Sequence, residues 1–219
     1  IGMTGRICLQ KNYFLALDVI AHLSRKDPRY NLVILGGFEQ SSLPLYFVLL
    51  RTSNSLTIPQ HVLIPGFKDN AVEWLNMFDI GLNVSHFEGL SMATQEFMMN
   101  GLQMVASKVS GQPEIFDRHN QLHFFDLPNI LNNIDIKNLS IDLNQDDIDE
   151  SKTQELYEYK KLVENIAKLI EENHSNRITI DGNDKQFINN VTYGSHNVWS
   201  LFNFIPNKKK GKVIKPAFL

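Results

Sequence analysis

Up to about Phe125, short apolar runs alternate with longer amphipathic stretches, and this pattern predicts alternating strands and helices. The strand runs mostly lack a polar residue at every second position, which is typical of strands covered by helices on both faces. The runs predicted as strands are Ile1–Thr4, Asn31–Leu35, Val62–Ile64, Ile80–Val84, Met104–Ala106 and Leu122–Phe125.

The stretches between these runs have the length and the amphipathic pattern of helices. They are Asn12–Arg25, Leu43–Asn54, Asn70–Met77, Met92–Asn100 and a short one near Pro113–Asp117. Because strands and helices alternate, we expect an α/β protein with a parallel sheet flanked by helices, in which each crossover is right-handed. Ligands bind outside the carboxyl ends of the strands in such sheets, so we expect the functional site in the loops that follow the strands.

The last third of the chain has a different composition, and we expect a helical and irregular C-terminal extension there. An acidic run, Asp146–Glu150, precedes a charged helical stretch at Lys152–Glu172. The remainder is rich in Asn and Gly and contains a basic cluster at Lys208–Lys212. The predicted organisation is therefore one domain over residues 1–128 and an extension over residues 129–219.

The composition is that of an ordinary globular protein: of 219 residues, 43% are apolar and 21% are charged. The net charge of −3 lacks the surplus of Lys and Arg that nucleic-acid-binding proteins usually carry, so we expect no nucleic-acid partner. The single cysteine, Cys8, cannot form an internal disulfide, and no leader precedes the first strand, which favours a cytoplasmic location.

The segment between the fourth strand and the following helix carries the most informative chemistry. It reads Ser85-His86-Phe87-Glu88-Gly89-Leu90-Ser91-Met92-Ala93-Thr94-Gln95-Glu96. Seven residues separate Glu88 from Glu96, so one carboxylate lies in the loop and the other in the helix, and together they can bind an elongated ligand at two points. Gly89 allows a ligand to approach the backbone, and the amides of Leu90 and Ser91 are among the unpaired donors at the start of the helix. A diphosphate fits such a site.

This spacing resembles the Glu-x7-Glu motif of retaining glycosyltransferases of family 4, whose GT-B architecture places two Rossmann-like domains across a cleft. Further blocks are similar to those of the family and occur in the same order over about residues 2 to 125. They are Gly5-Arg6 with Lys11, Leu32–Gly36, Val62–Phe67, Asp79–Ser85, Gly101–Ser107 and Val109–Ile115. The resemblance implies that residues 1–128 form the Rossmann-like donor half of a GT-B fold, which binds a nucleotide-sugar.

The resemblance also implies roles for charged residues. Arg6 and Lys11 match the two cations that neutralise the donor diphosphate, and such help is needed because a departing nucleoside diphosphate accumulates negative charge. Glu88 matches the glutamate that faces the donor sugar, and Glu96 matches the glutamate that accepts hydrogen bonds from the ribose. Arg6, Lys11 and Glu88 are thus the candidate catalytic residues.

Main-chain groups and turns complete the implied donor site. The donor-binding positions that the resemblance adds to Glu96 are Gly5, Gly66, Phe67, Gly89, Leu90 and Ser91. Gly66 and Phe67 match the turn beside the base, whereas the last three positions supply backbone donors to the phosphates and the sugar. The resemblance implies no metal and no cofactor, with a nucleoside-diphosphate sugar as the substrate.

The sequence departs from the family pattern at three positions. Asn12 replaces a glycine after the first lysine, Gln103 replaces a proline, and Gln121 replaces the glycine of an Asn-Gly pair. Because glycine allows backbone conformations that other residues rarely adopt, Asn12 and Gln121 could each relax a turn, and they leave the strength of donor binding open.

Three other features have ordinary explanations. Asp147–Asp149 imitates an Asp-x-Asp metal site, but it lies in an acidic run with no buried strand before it, which favours a solvated cluster. The Lys208–Lys212 cluster is a candidate for peripheral contact with anionic lipid, at about 1 kcal/mol per basic residue, although such tails are commonly only solubilising. His86 is a candidate for the wall of the pocket, since a single histidine near a strand end is more often structural.

The predicted function is transfer of a hexose-type sugar from a nucleoside diphosphate to an acceptor, with retention and with an N-terminal acceptor domain that precedes this chain. The acceptor is not identified by the sequence. The main alternative is a non-catalytic glycosyltransferase-like module that serves assembly or partner binding. An epimerase or a phosphorylase of the same architecture is a further possibility.

Overall fold

The computed structural model describes residues 1–38, 40–89, 91–113, 120–128 and 150–175. Its strands are β1 (Gly2–Thr4), β2 (Leu32–Leu35), β3 (Val62–Gly66), β4 (Ile80–Asn83), β5 (Gln103–Ser107) and β6 (Leu122–Phe125). Its helices are α1 (Tyr13–Lys26), α2 (Leu43–Ser55), α3 (Ala71–Leu75), α4 (Met92–Met99) and α5 (Glu150–Asn173). Each predicted strand therefore forms within two residues of its expected ends.

The strands form one parallel sheet with the order β3-β2-β1-β4-β5-β6. Successive strands are added outward from β1 to β3, and the chain then crosses to the other side of β1 and adds β4 to β6. This order is that of the Rossmann fold, and it confirms the predicted fold class. Because the order reverses between β1 and β4, the loops that leave their carboxyl ends diverge and open a crevice, which is where such folds bind ligands.

Apolar side chains pack on both faces of the sheet, in agreement with strand sequences that lack alternation. On one face the core is formed with α1, α2 and α5, and Leu17, Ile20 and Leu23 of α1 are completely buried. On the other face α3 and α4 cover the sheet, and the rings of Phe78 and Phe97 stack with their centroids 5.9 Å apart. The two-sided core holds the carboxyl ends of β1 and β4 in fixed positions.

The C-terminal helix α5 packs into the first of these cores. Its buried side chains are Leu162, Val163, Ile166, Ala167 and Ile170. The hydroxyl of Tyr159 donates a hydrogen bond of 2.5 Å to the Asp18 carboxylate of α1. The boundary between residues 128 and 129 stays a prediction, and the helix beyond it contributes to the same core as α1.

Several predictions fall on residues outside the described ranges. Most of the predicted short helix at Pro113–Asp117 lies there, as do the Asp147–Asp149 run and the Lys208–Lys212 cluster. Among the described helices, none is both long enough and apolar enough to cross a membrane.

Candidate functional site

The loop after β1 is fixed against the end of β2. The amide of Gly5 donates to the carbonyl of Leu35 over 3.0 Å. The backbone of this loop passes so close to Gly36 that a Cβ atom built there would lie 1.8 Å from the Gly5 carbonyl oxygen. Only glycine fits at position 36 without a shift of the backbone, and this close contact sets the direction in which the loop carries Arg6 and Lys11.

A tyrosine at the start of α1 holds the same loop from inside. The Tyr13 hydroxyl donates to the carbonyl oxygens of Gly5 and Arg6, over 3.0 Å and 3.2 Å. Burial raises the pKa of the Tyr13 hydroxyl far above its ordinary value, and the charges of Cys8 and Glu88 raise it further. The hydroxyl therefore stays protonated and keeps its role as a donor to the loop.

Asn12 adopts the conformation that explains the glycine in the family pattern. Its φ of 50° and ψ of 44° are left-handed, and it joins the 3-10 turn of Leu9–Lys11 to the first residue of α1. Asparagine is one of the few residues with a side chain that adopts this conformation readily. The departure from glycine therefore keeps the turn that places Lys11 beside the crevice.

Lys11 and Glu88 form an ion pair across the point where the strand order reverses. The Lys11 Nζ atom lies 2.5 Å from Glu88 Oε1, with the two side chains 16% and 7% exposed. Ser85 donates a second hydrogen bond, of 2.6 Å, to the same Oε1 atom. The structure thus brings together two residues that are 77 positions apart in the sequence.

Gln10 joins the two loops through a pair of hydrogen bonds beside this ion pair. Its side-chain Nε2 donates to the carbonyl of Phe87 over 2.8 Å, and its own carbonyl accepts from the amide of His86 over 2.9 Å. His86 is half-buried, and burial lowers the pKa of its ring below the ordinary value. We call the contacts of Gln10, Lys11, Ser85 and Glu88 the cross-loop clasp.

Helix α4 begins at Met92, four residues after Glu88 of the clasp. Ser91 caps the helix by accepting a hydrogen bond of 3.3 Å from the amide of Thr94. Asn83, at the end of β4, donates to the hydroxyls of both residues over 3.2 Å, so a buried polar network anchors the helix start to the sheet. The helix dipole makes this end favourable for an anion. Gly89 is exposed, and a Cβ atom built there meets nothing within 4 Å, whereas Leu90 lies outside the described residues.

Glu96 lies in the second turn of α4, about 7.5 Å along the helix axis from its N-cap residue. Burial raises the pKa of the Glu96 carboxyl to about 7. Within the described part of the chain, no hydrogen bond or ion pair joins Glu96 to Lys11 or Glu88. Glu88 therefore lies before the start of α4 and Glu96 within the helix, and their joint role in binding a ligand stays a prediction.

Arg6 lines a small cavity on the β1 loop. The cavity measures about 170 Å³ and is bounded by Arg6, Ile7, Cys8, Gln10 and Ser42. Gln10 therefore belongs both to the lining of this cavity and to the clasp. The predicted cation pair is thus carried by a single loop.

Gly66 is the last residue of β3, on the far side of β2, and Phe67 follows it. Gly66 has a φ of 79°, and its carbonyl accepts from the amide of Gly36 over 3.2 Å. The Phe67 side chain is 57% exposed and packs over Gly37. A Cβ atom added to Gly37 would lie 3.3 Å from the Cβ atom of Phe67. An exposed ring is therefore placed beside the loop that holds Gly5 and Arg6.

The other two departures from the family pattern serve contacts away from the clasp. Gln121 donates to the carbonyl oxygens of Met98 and Leu102, over 3.1 Å and 3.4 Å, where it holds the chain at the end of α4. Gln103 Oε1 lies 2.7 Å from Nε2 of His123 on the neighbouring strand β6. Neither glutamine forms part of the cross-loop clasp.

Sequence reasoning did not identify Gln10, Tyr13 or Ser85 as site residues. Ser85 lies within the segment that carries the two glutamates, so its proximity to Glu88 was a usable signal. Gln10 and Tyr13 act through hydrogen bonds that involve the main chain. Such contacts depend on the path of the chain and leave no motif.

Comparison with protein families gives one match. Residues 1–134 match the family model described as "Glycosyl transferases group 1", a range that includes the whole clasp and more than half of the 219 residues. None of the curated proteins matches the chain.

Solved structures show the same fold at low sequence identity. The Anabaena protein Alr3699/HepE in complex with UDP is 19% identical with a TM-score of 0.54, over 78% of this chain and 47% of that chain. The C-terminal domain of LpcC, a glycosyl transferase group 1 family protein from Francisella tularensis, is 19% identical with a TM-score of 0.52, over 78% and 84%. A TarM mutant of S. aureus, in complex with Fondaparinux, alpha-GlcNAc-glycerol and UDP, is 13% identical with a TM-score of 0.60, over 92% and 33%.

The described chain spans about half the length of HepE and a third of that of TarM, but most of the LpcC domain. Identities at this level establish a shared fold, that of GT-B glycosyltransferases, and leave substrate and mechanism to the chemistry of the site.

Proposed function

We propose that this chain, which belongs to the glycosyl transferases group 1 family, is the donor-binding half of a retaining hexosyltransferase of family 4. The observation that carries the proposal is the Lys11–Glu88 pair. It places a cation and a carboxylate where the strand order reverses, directly before the N-terminus of a helix. A nucleoside-diphosphate sugar carries negative phosphates and a hydroxyl-rich ring, so it needs both kinds of partner side by side.

The phosphates would bind between the β1 loop and the start of α4. Lys11 has three N–H donors, so it can donate to a phosphate oxygen while it keeps its contact with Glu88. Arg6 supplies a second cation from the same loop, and the α4 dipole supplies partial positive charge. When the bond between the sugar and the diphosphate breaks, the electron pair goes to the phosphate oxygen, and these groups stabilise the added charge. No metal is required in this arrangement.

The two glutamates would bind the hydroxyls at opposite ends of the donor. Glu88 faces the sugar, because it is held beside the cation that binds the diphosphate. Glu96, in the second turn of α4, accepts hydrogen bonds from the ribose and takes no part in the reaction. The exposed ring of Phe67, with Gly66 before it, would lie beside the base.

The acceptor would bind to a second domain. HepE and TarM are longer than the region that this chain matches, which is consistent with an enzyme of two halves. Closure of two domains excludes water from the reacting centre, and a donor half alone lacks that closure. We therefore expect this chain to bind donor and to transfer sugar poorly, and robust transfer by it alone would contradict the assignment.

The test is calorimetric titration of the 219-residue chain with UDP, GDP and ADP. We expect one of them to bind, and we expect Lys11→Met to weaken that binding by at least about tenfold, since a charged hydrogen bond is worth about 1.5–3 kcal/mol. Lys168→Met, on an exposed position of α5, removes the same charge away from the site and should leave the affinity unchanged. A chain that binds none of the three nucleotides would be a scaffold, and the proposal would be wrong.

A further inference from the structure

Ser85 lies at the centre of the clasp, although no role is assigned to it by the proposed function. It is completely buried, two residues after the end of β4, and its hydroxyl donates to Glu88 Oε1 over 2.6 Å. Its amide donates to the side chain of Asn83 over 3.1 Å, and its carbonyl accepts from the Ser107 hydroxyl over 2.7 Å. Both backbone polar groups of Ser85 are therefore fixed by side chains, one at the end of β4 and one at the end of the neighbouring strand β5.

Both hydrogen bonds to the Glu88 carboxylate use the same oxygen atom. Lys11 and Ser85 both bind Oε1, from the β1 loop and from the end of β4. Within the described part of the chain, no hydrogen bond reaches Oε2. Two donors that converge on one oxygen restrict rotation of the carboxylate, and they leave the other oxygen available to accept from a hydroxyl.

Lys11 alone would not fix this orientation. Its side chain is long and flexible, and its three donors can turn toward an incoming phosphate. Ser85 has a short side chain on a buried and doubly anchored backbone, so its hydroxyl keeps its place when Lys11 responds to the diphosphate. The Glu88 carboxylate then keeps its orientation while the diphosphate and the sugar bind.

We propose that Ser85, anchored by Ser107, is a positioning residue that orients the Glu88 carboxylate toward the hydroxyls of the donor sugar. The inference rests on the proposed function, since it requires a nucleotide-sugar in the site. It predicts a selective effect: loss of the Ser85 hydroxyl weakens binding of the sugar portion and leaves binding of the nucleotide portion almost unchanged. A purely structural role for a buried hydroxyl predicts no such selectivity.

The experiment compares UDP and UDP-glucose, or the GDP or ADP pair if the chain prefers another base. Dissociation constants are measured for the full chain and for Ser85→Ala, Ser107→Ala and Ser53→Ala. Ser53 is the matched control, because it is buried in α2 and its hydroxyl donates to the Leu50 carbonyl over 2.9 Å. Thermal unfolding of each variant reports its folding separately from its binding.

For Ser85→Ala we expect binding of UDP-glucose to weaken about tenfold and binding of UDP to change less than about twofold, because the lost bond is to a charged acceptor. The ratio of the dissociation constants for UDP-glucose and UDP should change in the same direction in Ser107→Ala, but by less. Ser53→Ala should leave this ratio unchanged. An equal effect of Ser85→Ala on both ligands would overturn the inference. If that variant does not fold, an unchanged ratio in Ser107→Ala would overturn it.

Failure of the Ser85 inference can be told apart from failure of the proposed function. A wild-type chain that binds no nucleotide refutes the proposed function itself. A wild-type chain that binds UDP and UDP-glucose equally, with an unchanged ratio in the variants, keeps nucleotide binding but removes the role of Ser85 toward the sugar.

Discussion

Glu96→Gln should make the protein more stable at alkaline pH, because it replaces a half-buried carboxyl by a neutral group of the same shape. Burial raises the pKa of Glu96 from 4.5 to about 7, so the folded state prefers the protonated form and the unfolded state ionises more readily. The stability that the protonated form contributes is complete below about pH 4.5, and it is lost as the pH rises toward 7. A pKa difference of about 2.5 corresponds to about 3 kcal/mol, which is the largest gain expected for the variant.

The assay is urea unfolding of wild type and Glu96→Gln between pH 4.5 and pH 8. The two proteins should differ little at pH 4.5, and the variant should be more stable by up to about 3 kcal/mol at pH 8. Glu155→Gln, on an exposed position of α5, is the control, because it leaves the Glu96 carboxyl in place. A stability difference that stays constant across this range would refute the argument that burial perturbs Glu96.

The same carboxyl should make donor binding depend on pH. If the ribose hydroxyls donate to the ionised form, a pKa of about 7 leaves only about a tenth of the sites competent at pH 6 and about nine-tenths at pH 8. Binding of UDP-glucose should therefore weaken about tenfold from pH 8 to pH 6. Glu96→Gln should bind with little pH dependence, and a wild-type profile parallel to that of the variant would contradict the assignment to Glu96.

Two further predictions concern stability. Lys11→Met leaves the Glu88 carboxylate buried without its cation and should lower the free energy of unfolding in urea by about 2 kcal/mol or more. Lys11→Arg should restore most of that loss. Equal stabilities of Lys11→Met and wild type would contradict a stabilising ion pair between Lys11 and Glu88. Gly36→Ala should cost more than about 3 kcal/mol, because its Cβ atom would lie 1.8 Å from the Gly5 carbonyl oxygen. Gly89→Ala is its control, since a Cβ atom at position 89 meets nothing within 4 Å. Similar losses of stability in the two variants would contradict the close approach of the Gly5 carbonyl to Gly36.

The elements of the fold were predictable because their signals are local. The apolar runs at Leu32–Leu35 and Ile80–Asn83 carry strand signals within a few neighbouring residues, and both form strands. Gly36, which follows β2, and Gly66, which ends β3, mark turns in the same way. The limits of α3 were less accurate: the stretch Asn70–Met77 was expected to be helical throughout, whereas the helix covers Ala71–Leu75. Helix ends depend on contacts beyond the local pattern.

The candidate site was predictable in part. The segment with Glu88 and Glu96 was found because both glutamates lie on one stretch of chain, and the resemblance added Lys11 to it. The hydrogen bond from Ser85 to Glu88 was not found, although only three positions separate the two residues, because its formation depends on the direction of the loop. The left-handed conformation of Asn12 explains in hindsight why asparagine replaces glycine there.

The sequence alone determined the order of strands and helices, the doubly wound class and the segment in which the chemistry lies, because hydrophobic periodicity and motif spacing are properties of neighbouring residues. Only the tertiary structure decided that Lys11 contacts Glu88, that Ser85 and Lys11 share one carboxylate oxygen, and that partial burial raises the pKa of Glu96. These properties arise where the strand order reverses, since packing on both faces of the sheet brings distant segments together there and removes water from their charged groups.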